Sequence, residues 1–242
     1  MLLFSFEESA FAADTSYSLK VYTEHLPPYN HLENGEFTGF STDILKAMLK
    51  EAGIEAHFTL LPWGRAYMNA STEADSLLYT TTRTPEREPY FEWIGPIGPR
   101  KMLLFKLRER SDIQIRSKED LRKYRVGIVR DTSAMKLVVE RGLFSKQQID
   151  EAPSTTSNMK KLFFKRIDFI LATRGGARFE VEHLPYKQDD IEAIYTLDEG
   201  FQFYFAVNKG TDPIVVQKLK HAFEKIKASG LVESLRKKYS VD

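Results

Sequence analysis

The chain has 242 residues, enough for one large domain or two small ones, and its 42% hydrophobic and 29% charged residues make disorder and membrane spans unexpected. A net charge of +1, with basic and acidic residues interleaved, argues against a nucleic-acid surface. Without cysteine there is no disulfide, thiolate metal site or cysteine nucleophile, and the histidines lack metal-ligand spacing. We therefore predict no metal, no cofactor and no nucleic-acid partner.

The N-terminus has features of an export signal. Residues 1–6 are apolar, and residues 10–14 contain the small-x-small pattern that signal peptidase favours. No basic residue precedes the apolar stretch, and Glu7 and Glu8 interrupt it. We interpret residues 1–18 as the remnant of a leader or signal peptide, which predicts a periplasmic location.

From residue 19 onward, strands alternate with helices. Apolar periodicity predicts strands at 19–23, 56–60 and 76–79, with a helix at 42–52 that ends at Gly53 and a second helix from Pro62. In a parallel α/β sheet, ligands bind beyond the carboxyl ends of the strands. Glu24, Trp63 and Thr80 follow three such ends, so we expect them at a ligand site.

The segment 80–100 combines hydroxyl groups with an arginine. Thr84 is placed to cap a helix that begins at Pro85. The hydroxyls of Thr80 and Thr82 and the guanidinium of Arg87 would then face one point, and such a point favours a carboxylate or phosphate. A capped surface helix with a solvated arginine is the alternative.

After Gly-Pro pairs at 95–96 and 98–99 the α/β pattern restarts. It predicts strands at 102–105, 125–129, 168–171 and 201–207 and final helices at 213–229 and 231–239. Two α/β lobes with two crossings, near 102–105 and 201–205, have the geometry of hinge closure around a ligand.

The order of several motifs resembles family 3 of the bacterial extracellular solute-binding proteins, the polar amino-acid binders of ABC importers. The similarity runs from about residue 19 to the end, through the segments 21–29, 39–44 (GFSTDI), 84–87 (TPER), 125–127 (RVG), 166–170 (RIDFI) and 206–210 (AVNKG). It implies the α/β, two-lobed type II periplasmic-binding-protein fold, with mostly parallel sheets flanked by helices. One lobe would comprise 19–100 and 209–242 and the other 101–208.

The resemblance also implies roles for individual residues. It places the arginine that grips the ligand carboxylate at Arg87 and donors at Thr80, Thr82, Thr132 and Ser133. The acidic residue that pairs with the ligand amine falls near Thr173, so Glu24, or as the less favoured alternative Asp131, would have to supply that charge.

Other candidates rest on residue type alone. Tyr29 and Trp63 would cover the ligand or fill the core, and Arg130 would add an anion contact or be solvated. Four arginines (Arg83, Arg87, Arg130, Arg174) against two acids (Glu24, Asp131) favour a carboxylate-bearing ligand that is not a standard basic amino acid.

The resemblance implies a monomeric, non-catalytic protein that closes around a small-molecule ligand and docks on the membrane permease of an ABC importer. Two alternatives remain. One is a small-molecule lyase or dehydratase of the same fold with Glu24 as its acid or base. The other is a detached ligand-sensing domain.

Overall fold

The computed structural model describes residues 17–198 and 200–241. Most of the predicted leader therefore lies outside the described residues. Its last residue, Ser18, belongs instead to the first strand, where it pairs in parallel with Glu55. Within the described ranges, no helix combines the length and the hydrophobicity that crossing a bilayer requires.

The first half of the chain contains the strands and helices that the periodicity predicts, together with a short hairpin and the strand β6, which were not predicted. Its elements are β1 (Ser18–Thr23), β2 (His31–Glu33), β3 (Glu36–Thr38), α1 (Phe40–Ala52), β4 (Glu55–Leu60), α2 (Trp63–Thr72), β5 (Ser76–Thr82) and β6 (Phe91–Pro99). The predicted helix at Pro85 is a single 3-10 turn, Pro85–Arg87, and the Thr84 side chain does not cap it.

The second half completes the two lobes. Its elements are β7 (Met102–Leu107), β8 (Val126–Val129), α3 (Ser133–Glu140), β9 (Ile149–Ala152), α4 (Thr155–Phe163), β10 (Phe169–Ala172), α5 (Arg174–Glu182), β11 (Ile191–Asp198), β12 (Gln202–Asn208), α6 (Pro213–Ala228) and α7 (Leu231–Lys238).

Two five-stranded mixed sheets, each with helices packed against it, form the core of the described residues. The first has the order β4-β1-β5-β12-β6 and the second β11-β7-β10-β8-β9. The strands β4, β1 and β5 are parallel, as are β10, β8 and β9, whereas β12, β6, β7 and β11 pair antiparallel with their neighbours. The predicted fold class is thereby confirmed.

Helix α1 shows how the periodicity produces the first lobe. Ile44, Leu45, Met48 and Leu49 recur at helical spacing and are all buried. Gly53 ends the helix in the left-handed conformation, with φ of 66°, which costs glycine little because it has no side chain. The buried face packs on α6 and α7, so the C-terminal helices return to the first lobe as predicted.

The position of β12 corrects the expected lobe boundary. We expected residues up to 208 in the second lobe, but β12 lies between β5 and β6 and is antiparallel to both. Both Gly-Pro pairs lie within β6, which ends at Pro99, and the second lobe begins just after them with β7, as predicted. The crossings between the lobes are therefore at about 99–102 and 198–202, and the backbone N–H of Arg100 donates to Phe201 O across them at 2.8 Å.

Candidate functional site

A cavity of about 80 Å³ lies between the two lobes. The segments at the ends of β1 and β5 line one side, and the N-termini of α3 and α5 line the other. A single water needs roughly 10–15 Å³ on this measure, so the enclosed space suits a compact polar molecule or several waters.

Seven of the ten predicted site residues line this cavity, namely Glu24, Trp63, Thr80, Thr82, Thr132, Ser133 and Thr173. The first four come from one lobe and the last three from the other. The rule that sites form beyond strand ends thus brings together residues that are far apart in the chain. Their contacts with a ligand stay a prediction.

Arg87 does not line the cavity but lies behind Thr82. Its side chain is buried, with Nη1 donating to the Thr82 carbonyl at 2.8 Å. The guanidinium carbon lies 4.9 Å from the ring centroid of Trp63 and 5.2 Å from that of Tyr67. Burial lowers the pKa of Arg87 to about 10. The solvated surface arginine of the alternative interpretation is thereby excluded.

Two further candidates also lie away from the cavity. Tyr29 is buried in the first lobe, where its ring packs edge-on against Phe40 and Phe203. Tyr29 therefore fills the core, which was the alternative to a ligand contact. Arg130 directly follows β8 and is exposed to solvent, which is the solvated alternative.

Arg100 reaches the cavity although the sequence analysis did not select it. It lies in the first crossing between the lobes and is only 4% exposed. Its Nη1 donates to Thr82 Oγ1 at 3.2 Å in one lobe and to Ser133 Oγ at 2.6 Å in the other. The only sequence feature that could have indicated a role for Arg100 was its position beside a predicted hinge. That position does not show whether the side chain points toward the cavity.

Two carboxyl groups face the cavity. Glu24 directly follows β1. Burial raises the pKa of its carboxyl to about 7, although the positive charge of Arg87 acts in the opposite direction.

Glu180, on α5, is the second carboxyl group, and it was not among the predicted site residues. It is 3% exposed, burial raises the pKa of its carboxyl, and it accepts a hydrogen bond from Thr156 Oγ1 at 3.0 Å. The spacing i, i+3, i+7 from Thr173 through Gly176 to Glu180 places all three on one helix face, and that spacing was the missed signal.

Threonine side chains cap the helices that begin at the cavity. Thr173 Oγ1 accepts from Gly176 N at 3.1 Å, and Thr132 Oγ1 accepts from Met135 N at 3.3 Å. Thr80 differs from both. It has a φ of 58°, is 3% exposed, and its Oγ1 has no hydrogen-bond partner in the described part of the chain. A buried hydroxyl without a partner is costly, and this one belongs to a residue that lines the cavity.

The lobes touch across the cavity mouth. Trp63 Nε1 donates to the Asp131 carbonyl at 2.8 Å, and an ion pair joins Lys136 to Glu86. Gly64 makes the approach possible, because a Cβ there would lie 2.7 Å from Asp131 Oδ2. These contacts describe a closed arrangement of the two lobes.

Removal of the Trp63 indole N–H is expected to weaken closure of the lobes. The smaller ring of phenylalanine also loses contacts within the first lobe, an effect that the control variant below shares. Trp63→Phe deletes one hydrogen bond that crosses the seam, so ligand affinity should fall about 2- to 10-fold, the equivalent of ~0.5–1.5 kcal/mol. Calorimetric titration measures this change. Trp93→Phe is the matched control, since Trp93 packs on Phe91 and Tyr204 within the first lobe. An equal loss in the two variants would contradict a role at the seam.

The charges around the cavity differ from those expected. None of Arg83, Arg87, Arg130 and Arg174 lines it, and Asp131 lies outside it. Among the described residues, the charged groups that line the cavity are Glu24, Glu180 and Arg100. The expectation of a non-basic ligand rested on a count of arginines that the structure does not support.

Two α/β lobes that meet at a cavity lined from both sides and are joined by two adjacent crossings define the type II periplasmic-binding-protein fold. Solved structures agree. A histidine kinase sensor domain with similarity to periplasmic binding proteins superposes with a TM-score of 0.82 at 17% identity, covering 93% of this chain and 96% of that one. The substrate-binding protein of an amino acid ABC transporter gives a TM-score of 0.78 at 16% identity, covering 92% and 98%.

The chain belongs to the bacterial extracellular solute-binding proteins, family 3, whose sequence profile matches residues 19–242. A probable histidine-binding protein of Campylobacter jejuni is 25% identical over 240 residues, covering 95% of this chain and 88% of that protein. The family resemblance noted from the sequence motifs is thereby confirmed.

Proposed function

We propose that this protein captures a small amino acid or related polar molecule between its lobes in the periplasm and delivers it to the permease of an ABC importer. The observation that carries the proposal is the cavity at the lobe seam, whose lining includes hydrogen-bond donors and acceptors from both lobes. Family membership and the binding-protein relative support capture rather than catalysis.

The cavity offers complementary ends for a zwitterion. Arg100 Nη1, held by the hydroxyls of Thr82 and Ser133, supplies a cationic donor for a ligand carboxylate. Glu24 supplies an anionic acceptor for a ligand ammonium. The family resemblance gives this role to an acidic residue near the position where this chain has Thr173. Without such a partner, a buried ammonium would carry a desolvation cost of several kcal/mol.

Ligand binding and lobe closure are coupled in this proposal. A ligand that contacts both lobes at once binds the closed form more tightly than the open form, and it shifts the population by that difference in affinity. The closed form then presents one particular outer surface to the permease.

Addition of the right ligand is expected to raise the melting temperature. A concentration of about 100 times Kd stabilises the folded form by about 2.7 kcal/mol, which corresponds to roughly 5–10 °C for a chain of this size. A thermal-shift screen of amino acids, amines and small carboxylates measures this shift. Small-angle scattering on each hit should show compaction, as hinge closure requires.

The absence of any hit among amino acids and their analogues would overturn the proposal. A hit without compaction would leave binding in place and remove hinge closure.

A lyase of the same fold is the second candidate, and one observation favours it. Two carboxyl groups with raised pKa values face the same cavity, as general acid-base chemistry requires. Incubating each screening hit with the protein and analysing it by mass spectrometry separates the two functions. A captured ligand is recovered unchanged, whereas a lyase substrate loses water or another small group.

A further inference from the structure

We infer that the ligand carries a net positive charge and that Glu180 selects it, because Glu180 adds a second carboxylate to the cavity from the lobe opposite Glu24. This inference rests on the proposed function and deepens it by naming the class of ligand. Cationic amino acids and similar amines fit this description, whereas neutral and acidic ones do not.

The balance of charges around the cavity carries the first step. The charged groups that line it in the described part of the chain are the two carboxylates of Glu24 and Glu180 and the guanidinium of Arg100. With both acids ionised, the lining groups sum to one negative charge. Arg87, buried one layer behind the cavity, offsets the charge of Glu24 only in part, since the pKa of that carboxyl still lies at about 7. Glu180 has only His25 within ion-pair distance among the described residues. A ligand of net charge +1 supplies the missing cation, whereas a neutral zwitterion leaves one carboxyl either protonated or buried as an unpaired charge.

The hydrogen bonds of the two carboxyls carry the second step. An ionised carboxylate has about four acceptor sites. Among the described residues, Glu180 accepts one hydrogen bond, from Thr156 Oγ1, and His25 Nε2 lies 3.8 Å from its Oε1. No described side chain donates to the Glu24 carboxylate, whose backbone carbonyl accepts from Asn30. Both groups thus keep acceptor sites for a ligand.

Thr80 is an independent sign that a polar ligand completes the cavity. Its Oγ1 is buried and has no partner within residues 17–198 and 200–241, although the residue lines the same space as Glu24. A ligand N–H or oxygen would satisfy it.

Ligand capture and proton release follow from the same geometry. Burial favours the protonated form of both carboxyls in the empty protein, and the cation takes the place of that proton. The groups that face them are Arg87 for Glu24, and Thr156, Lys160, His25 and His183 for Glu180. Since the pKa of Glu24 is about 7, affinity for a cationic ligand should rise as pH rises toward 7 and level off above it.

Arginine and citrulline provide the test, because they differ mainly in the charge at the end of the side chain. We expect the wild-type protein to bind arginine, or its shorter cationic counterparts lysine and histidine, at least about tenfold more tightly than citrulline. Glu180→Gln should weaken cation binding by about 10-fold or more and change citrulline binding little. Glu182→Gln is the matched control, since Glu182 lies on the same helix but is exposed and pairs with Arg178.

Calorimetry in phosphate and in Tris buffer gives a second measurement. The apparent binding enthalpy of the cation should differ between the two buffers because protons are released, and Glu180→Gln should reduce that difference. The comparison of arginine with citrulline and the buffer dependence use the wild-type chain, so they decide the matter even where the variant does not fold.

The possible failures are distinguishable. If no amino acid binds at all, the proposed function fails. If citrulline or glutamate binds the wild-type protein as tightly as the cations do, or if Glu180→Gln leaves a cation's affinity unchanged, the inference alone is overturned.

Discussion

Arg100→Met is expected to weaken the binding of a carboxylate-bearing ligand by about 10- to 150-fold, which corresponds to ~1.5–3 kcal/mol for a charge-assisted hydrogen bond. The guanidinium of Arg100 lines the cavity and joins hydroxyl groups of both lobes, so no other described residue replaces its positive charge there. Calorimetry with the best screening hit and with its decarboxylated analogue measures the effect. The analogue should be affected much less.

Arg87→Met is the informative comparison, because Arg87 lies one layer further from the cavity. Burial lowers the pKa of Arg87 and so disfavours its charge, and an apolar side chain of similar length relieves that cost while keeping contact with the rings of Trp63 and Tyr67. Stability should therefore change by no more than about 1 kcal/mol, and affinity should fall less than in Arg100→Met.

The exposed Arg83, which pairs with Glu88, serves as the control, and Arg83→Met should change neither quantity. If Arg87→Met costs more affinity than Arg100→Met, the roles given to the two arginines are reversed.

The ligand-free protein is expected to lose stability as pH rises from about 4.5 to about 7 because of Glu24. Its carboxyl has a raised pKa in the folded state, so its stabilising contribution is complete below the unfolded value of 4.5 and is lost as pH rises through about 7. The shift corresponds to a contribution of order 3 kcal/mol. Urea unfolding across this range measures it, and Glu24→Gln should flatten the decline.

Glu88→Gln is the control for this effect. Arg83 lowers the pKa of the Glu88 carboxyl, the opposite direction, so the decline between pH 4.5 and 7 should persist in that variant. His25 and His31 have pKa values lowered by burial and so stabilise the fold as pH rises over the same range, which makes the difference between wild type and Glu24→Gln the deciding quantity. A difference that is the same at pH 4.5 and at pH 7 would contradict the burial of the Glu24 carboxyl.

The elements of the fold that periodicity predicts are those whose buried faces are local in sequence. Helix α1 and strand β5 follow from apolar spacing alone, because each buries residues of its own segment. β11 was not predicted at all, although it completes the edge of the second sheet. The placement of β12 depends on pairing with β5, more than a hundred residues earlier, and local spacing does not specify such a partner.

The candidate site was likewise predicted in part, and the missed part depends on contacts between residues far apart in the chain. Backbone position was enough to place Glu24, Thr80 and Thr82 at the cavity, since the ends of neighbouring strands meet there. Arg100 lies where Arg87 was expected, because the direction of a long side chain depends on its partners in space. The rings of Trp63 and Tyr67 hold one guanidinium outside the cavity, and hydroxyls of two lobes hold the other within it.

The hydrogen bond between Arg100 N and Phe201 O ties the two crossings into one ribbon. If the lobes close as proposed, a pair of strands joined in this way bends and twists more readily than it slides. The two halves of the cavity would then meet in the same alignment at each closure. Arg100 belongs to this ribbon and also lines the cavity, so the hinge takes part in ligand recognition, and a change of specificity involves the first crossing as well as the two halves of the cavity.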